Sequence, residues 1–213
     1  MIWEGTFFRF VYAKADKDLL GAIVSTAEDT YASVAKQLRL SEEKERFTFT
    51  ICPDIASFLA ATGKTEETYR PWMVGWADYG KRRLCILSPR VAEAYSLEEM
   101  LKIVKHEVVH VVFDSLGNPE EAPIGISEGI AVCMAGQIEP NELDVHAYPS
   151  MLQLNEEAAF YENDGYRYSG VYVQYFLKKF GMDAFRNVYT GKDRLAVYLY
   201  DGFEAEAIQN AKA

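Results

Sequence analysis

The hydrophobic pattern of the first ninety residues predicts strands and helices in alternation. Residues 6–12 are aromatic and β-branched, which is typical of a strand. Apolar residues between 16 and 40 recur at steps of three and four and predict one long amphipathic helix. Residues 46–52 alternate apolar and polar side chains and predict a strand with one buried face. A short helix over 54–62 and a hairpin over 70–89 complete this half.

The pattern of the second half predicts helices alone. The sequence Ser96-Leu97-Glu98-Glu99 is a capping box, in which each of the two outer residues bonds to the other's backbone amide, so a helix is predicted from there to about Leu116. We expect further helices over 126–136, 167–180, 183–190 and 203–211, with a polar, irregular segment over 137–165.

This order of elements predicts an α+β fold in a single domain, residues 1–213. An N-terminal α/β lobe (1–117) would hold a small mixed sheet and the capped helix, and a C-terminal lobe (118–213) would be mainly helical.

Composition and charge narrow the functional classes. The chain has 32 acidic and 22 basic residues and a net charge of −10, which argues against a nucleic-acid partner and against binding to anionic membranes. Its cysteines, Cys52, Cys85 and Cys133, are odd in number and far apart, and they indicate neither a disulfide framework nor a CxxC metal site. Without a signal-peptide pattern or a long apolar run, a cytoplasmic location is expected. No feature of the sequence indicates an oligomeric state.

Two of the three histidines lie four residues apart, in the sequence His106-Glu107-Val108-Val109-His110. This spacing places both imidazoles on one face of the capped helix, where they can bind a single metal ion. Glu107 lies about 100° further around the helix, where its carboxylate can reach a metal-bound water without being a ligand. The alternatives are a chance match, which is rare with so few histidines, and two core histidines bonded to backbone carbonyls.

A third ligand is predicted at Glu128, which stands alone in an apolar helix 18 residues after His110. A carboxylate in such surroundings is costly to bury unless it is paired or bound to a metal. The small residues Gly125, Gly129 and Ala131 would let this helix approach the histidine helix closely. The alternative is an acidic residue near a helix N-terminus, which the helix dipole favours.

Together these motifs resemble the gluzincin branch of zinc metallopeptidases, where HExxH is followed by a glutamate in an SEG-type helix. Here the two motifs read HEVVH and SEGIA. Tyr166-Arg167-Tyr168-Ser169 and the later pair Phe180-Gly181 extend the resemblance to small peptidase-MA-like domains of minigluzincin type, over roughly residues 95–181. One departure is Ile124-Gly125-Ile126, where the family usually has a tryptophan. The resemblance implies a zincin-like fold.

The resemblance also implies a zinc-dependent peptidase whose substrate is a peptide or a protein. One Zn²⁺ would be held by His106, His110 and Glu128, and Glu107 would be the general base. The segment 83–88 resembles in position the edge strand with which substrate main chain pairs in gluzincins.

The resemblance assigns a hydrogen-bond donor for the oxyanion to Tyr166 or Tyr168, with Tyr166 favoured by the motif alignment. His146 is an alternative donor, although its irregular surroundings favour a solvated loop residue. Each ligand histidine should also have an acceptor for its outer ring nitrogen. The candidates for that acceptor are Asp114, Glu162 and Asp164, and Asp114 could equally cap its helix.

Two other functions stay open at the level of sequence. The chain could be a catalytically silent or regulatory binding module with a zincin fold, or a zinc hydrolase of non-peptide amides. The presence of both histidines and both glutamates weakens the first of these alternatives.

Overall fold

The computed structural model describes residues 1–41, 45–117 and 122–213. It is a mixed α+β structure, as predicted, and the chain forms two compact units, residues 1–112 and 113–213. The zincin-like fold and the single domain with lobes meeting at residue 117 stay predictions. No helix in the described ranges has the length and apolar character that crossing a bilayer requires.

The sheet of the first unit is small and mixed, as predicted. In the described residues its strands are ordered β1-β2-β3-β5-β4, with β2, β3 and β5 parallel and the two edge strands antiparallel. The strands are β1 (Ile2–Glu4), β2 (Phe8–Val11), β3 (Phe47–Cys52), β4 (Gly75–Asp78) and β5 (Arg83–Leu87).

One prediction about these strands needs correction. The predicted hairpin is confirmed as β4 and β5, but 83–88 is not an edge, because Cys85 is in register with Thr50 on one side and with Trp76 on the other. Among the described strands, the outer position on this side of the sheet belongs to β4. The short strand β1 was not predicted from the sequence.

One face of the sheet forms an aromatic core with the first helix, α1 (Leu20–Leu38). The ring of Tyr31 from α1 lies 5.7 Å from that of Phe8 and 6.1 Å from that of Phe47. Just before α1, the buried carboxylate of Asp16 accepts a hydrogen bond of 2.6 Å from the hydroxyl of Ser88, which follows β5. This bond ties the start of α1 to the central strands.

The next two helices begin at the residues that the sequence indicated. Helix α2 (Ile55–Thr62) is capped by Asp54, whose side chain accepts from the Ser57 amide at 2.7 Å. Helix α3 (Leu97–Asp114) begins at the predicted capping box. The Ser96 amide donates to Glu99 at 2.6 Å, and the Glu99 amide donates to the Ser96 hydroxyl at 3.2 Å.

The described part of the second unit contains four α-helices. They are α4 (Ile124–Ala135), α5 (Glu157–Glu162), α6 (Gly165–Tyr189) and α7 (Phe203–Lys212). Helix α5 lies inside the segment predicted to be irregular. The predicted stop at Gly181 is confirmed as a break inside α6, where this residue has φ 81° and ψ 173°. Glycine adopts these angles readily and other residues almost never do.

Helix α4 packs very closely on α6 through its glycines. A Cβ atom at Gly129 would lie 2.6 Å from Cγ2 of Val173 and 2.7 Å from the carbonyl oxygen of Ser169. A Cβ at Gly125 would lie 2.8 Å from the carbonyl oxygen of Leu154. These glycines therefore serve contacts with α6 and the 153–155 turn. The predicted approach of this helix to the histidine helix stays a prediction.

Candidate metal centre

Helix α3 presents the two histidines of the HExxH motif on one face. Their Nε2 atoms are 3.0 Å apart and their ring centroids 4.7 Å apart, so both rings turn the same nitrogen toward a common point. His106 is buried and His110 is half-buried. A regular, well-capped helix accounts for this arrangement, because side chains at i and i+4 stack one turn apart.

Glu128 of α4 completes a group of three candidate metal ligands with His106 and His110. One ligand atom from each residue lies within 4.8 Å of the other two. Two imidazoles on one tetrahedral zinc, each at 2.0–2.1 Å, would place their nitrogens about 3.3 Å apart, which is close to the spacing of the Nε2 atoms. Two imidazoles and one carboxylate are also a donor set that zinc accepts, so the group could hold a metal ion.

Glu107 is buried beside the edge strand, with 7% of its surface exposed. A Cβ atom at Gly75 would lie 2.4 Å from Oε1 of Glu107, so the missing side chain at position 75 leaves room for this carboxylate. Sequence reasoning did not identify Gly75. The available signal was a glycine within a strand pattern, which often marks a close approach.

Two of the three cysteines, Cys85 and Cys133, are poor candidates for metal ligands. A hydrogen bond with Cys52 and burial raise the pKa of the Cys85 thiol, and the charge of Glu107 raises it further. Since a thiol binds metal as the thiolate, these surroundings disfavour a role for Cys85 in the site. Burial likewise raises the pKa of Cys133 to about 11.

The two predicted tyrosines have different surroundings. The hydroxyl of Tyr168 is engaged by the loop before it: it accepts from the Asp144 amide at 3.1 Å and donates to the Ala147 carbonyl at 3.5 Å. Tyr166 is half-buried, and its ring packs on Phe160 with centroids 4.9 Å apart. Their roles in catalysis stay predictions.

A third tyrosine near the candidate ligands, Tyr161, was missed. Its ring centroid lies 6.4 Å from that of Tyr166, and it is 48% exposed. Burial of part of the ring and the charge of Glu128 raise the pKa of Tyr161, while a hydrogen bond with the Tyr166 side chain lowers it to a smaller degree. Its only sequence signal was an aromatic residue in a segment without periodicity.

The remaining predicted residues lie as follows. Asp114 accepts a 2.6 Å hydrogen bond from the hydroxyl of Tyr189, and Asp164 pairs with Arg167 at 2.9 Å. Glu162 is exposed. His146 is also exposed, as expected for a loop residue. Which residue accepts from the outer nitrogen of each histidine stays a prediction.

Comparison of the chain with models of known protein families and with curated protein sequences gives no match. The resemblance to gluzincins therefore stays a prediction from the motif residues.

Proposed function

We propose that this protein is a zinc-dependent hydrolase that cleaves peptide bonds in a peptide or protein substrate. The observation that carries the proposal is the grouping of His106, His110 and Glu128, with Glu107 next to the first histidine. Two imidazoles and a carboxylate leave a tetrahedral zinc with an open fourth position, which distinguishes a catalytic site from a structural one.

Glu107 is the general base in the proposed reaction. Bound zinc would supply Lewis-acid chemistry, by lowering the pKa of water and polarising the scissile carbonyl. The Glu107 carboxylate accepts the proton of the attacking water and later passes it to the leaving amine. Its burial beside Gly75 limits its contact with bulk water.

A tyrosine hydroxyl would donate to the oxygen that becomes negative in the transition state. The candidates are Tyr166, which the motif alignment favours, and Tyr161, whose side chain hydrogen-bonds to that of Tyr166. The hydroxyl of Tyr168 bonds to the backbone of residues 144 and 147. A phenol is neutral at physiological pH and can donate, and the raised pKa of Tyr161 keeps its hydroxyl in this form.

Metal analysis and peptide cleavage test the proposal together. The purified protein should contain about one zinc per chain, as expected for one three-ligand site, and should digest an unbiased peptide library. A chelator should abolish the digestion. Glu107→Gln should retain zinc and lose cleavage. Glu98→Gln is the matched control, because this glutamate lies on the same helix with 85% of its side chain exposed.

Three results would separate the alternatives. Absence of zinc binding would contradict the proposal, and cleavage by Glu107→Gln would remove this residue from the role of base. Zinc binding without cleavage of any library peptide would instead favour a zinc hydrolase of other amides or a silent binding module.

A further inference from the structure

A buried phenol joins the ends of the two helices that carry the candidate ligands. Tyr189, the last residue of α6, is 2% exposed, and its hydroxyl donates to Oδ1 of Asp114 at 2.6 Å. Its ring packs on Phe113, with centroids 5.2 Å apart. Asp114 is the last residue of α3.

The Tyr189 hydroxyl also forms a hydrogen bond with a residue of α4. Burial and the adjacent Asp114 carboxylate raise the pKa of Tyr189 well above its ordinary value, while a hydrogen bond with the Ser127 side chain lowers it to a smaller degree. The phenol therefore keeps its proton, donates to Asp114 and bonds to Ser127. A neutral phenol can act as donor and acceptor at once.

Each of these two partners is next to a candidate ligand. Asp114 lies four residues after His110 on the same helix, which places it one turn further along the same face. Ser127 directly precedes Glu128 in α4. The Tyr189 hydroxyl thus connects Asp114, one turn from His110, to Ser127, which is adjacent to Glu128.

We propose that Tyr189 is a positioning residue of the metal centre, whose hydroxyl fixes the end of α3 relative to the start of α4 and so pre-organises His110 and Glu128. This inference rests on the proposed function, because it assumes that these residues bind zinc. Removal of a group that bonds directly to a ligand residue typically lowers metal affinity 10–100-fold, and Tyr189 acts one bond further out, so a smaller loss is expected.

Tyr189→Phe removes the hydroxyl and keeps the ring. Its matched control is Tyr198→Phe, because Tyr198 is in the same unit and donates to a carboxylate, that of Asp193, at 2.7 Å. Both variants lose a phenol–carboxylate hydrogen bond, and only one of these bonds involves residues next to the ligands.

Three measurements compare the variants. Zinc affinity is measured by competition with a chelator, the thermal midpoint is measured without metal, and the visible spectrum is recorded after cobalt substitution. We expect both variants to lose thermal stability. Only Tyr189→Phe should bind zinc more weakly, by about 3- to 10-fold because its hydroxyl lies one bond further out than a direct partner of a ligand, and should alter the cobalt spectrum.

Equal zinc affinities and cobalt spectra in the two variants would show that Tyr189 is merely structural and would overturn the inference. If Tyr189→Phe does not fold, Ser127→Ala provides the second test, and unchanged zinc affinity in that variant would overturn the inference as well. Failure of the unsubstituted protein to bind zinc would contradict the proposed function itself, and with it this inference.

Discussion

Gly129 offers a sharp test of the packing next to Glu128. Replacing a glycine by alanine in an open helix position stabilises a protein by about 0.5–1 kcal/mol, because alanine has the higher helix propensity. Here the added Cβ would meet Cγ2 of Val173 at 2.6 Å and the carbonyl oxygen of Ser169 at 2.7 Å. Rotation of a side chain can relieve the first contact but not the second, because that oxygen belongs to the backbone of α6.

We therefore expect α4 to move away from α6 in Gly129→Ala. Overpacking of this kind costs about 1–3 kcal/mol. With two contacts below 3.0 Å, the upper end of that range applies. After the gain in propensity is subtracted, about 2 kcal/mol of destabilisation remains, which corresponds to a thermal midpoint lower by about 4–8 °C for a chain of this size. Zinc affinity should fall too, because Glu128 is the adjacent residue.

Gly21→Ala is the matched control, since a Cβ at this exposed position in α1 meets no atom within 4 Å. Thermal and urea denaturation, followed by circular dichroism, should show the control to be as stable as the original protein or slightly more so. If Gly129→Ala is also as stable as the original protein, α4 does not pack on α6 closely enough to exclude a Cβ atom at this position.

Two further predictions concern hydrogen bonds in the first unit. Asp16→Ala should destabilise the protein by about 1–3 kcal/mol in urea denaturation, because it leaves the buried Ser88 hydroxyl without its acceptor. A loss of stability no larger than that caused by Asp18→Ala, at an exposed position, would contradict this prediction. Hydrogen bonds from Ser96 lower the pKa of Glu99, so its ionised form is favoured in the native state. The Glu99 carboxylate therefore stabilises the native state at a pH above its ordinary pKa. This stabilisation is lost as the pH falls through the lowered pKa of the native state. The stability difference between the protein and Glu99→Gln should shrink as the pH falls below about 4 in urea titrations, and a constant difference would contradict the assignment.

Local signals in the sequence predicted the local structure well. The capping box at Ser96 placed the start of α3, and the i, i+4 spacing placed both imidazoles on one face. Gly181 ended a helical segment as expected. Each of these features depends on residues within a few positions of one another, where backbone geometry leaves few choices.

Features that depend on distant parts of the chain were predicted less well. The segment 83–88 has the composition of a strand wherever it lies in a sheet, and only the order of the strands makes it central. In the same way, Gly129 indicates a close approach without identifying the partner, which is α6. Tyr161 was missed because α5 is a single short helix in a polar segment, where no periodicity singles out one aromatic residue.

The break at Gly181 divides α6 into two helical pieces that can unfold separately. It leaves residues 182–189, including Tyr189, as a helical piece of about two turns, which would be unstable on its own in water. Its order depends instead on burial, above all on Phe185, whose ring lies 5.9 Å from that of Phe113 and 5.9 Å from that of Phe176. The preceding sixteen residues of α6, which carry Tyr166 and Tyr168, form a longer helix held by α4. The two pieces can therefore exchange their amide protons through separate openings, and the Tyr189 bond to Asp114 can break while the longer piece stays folded.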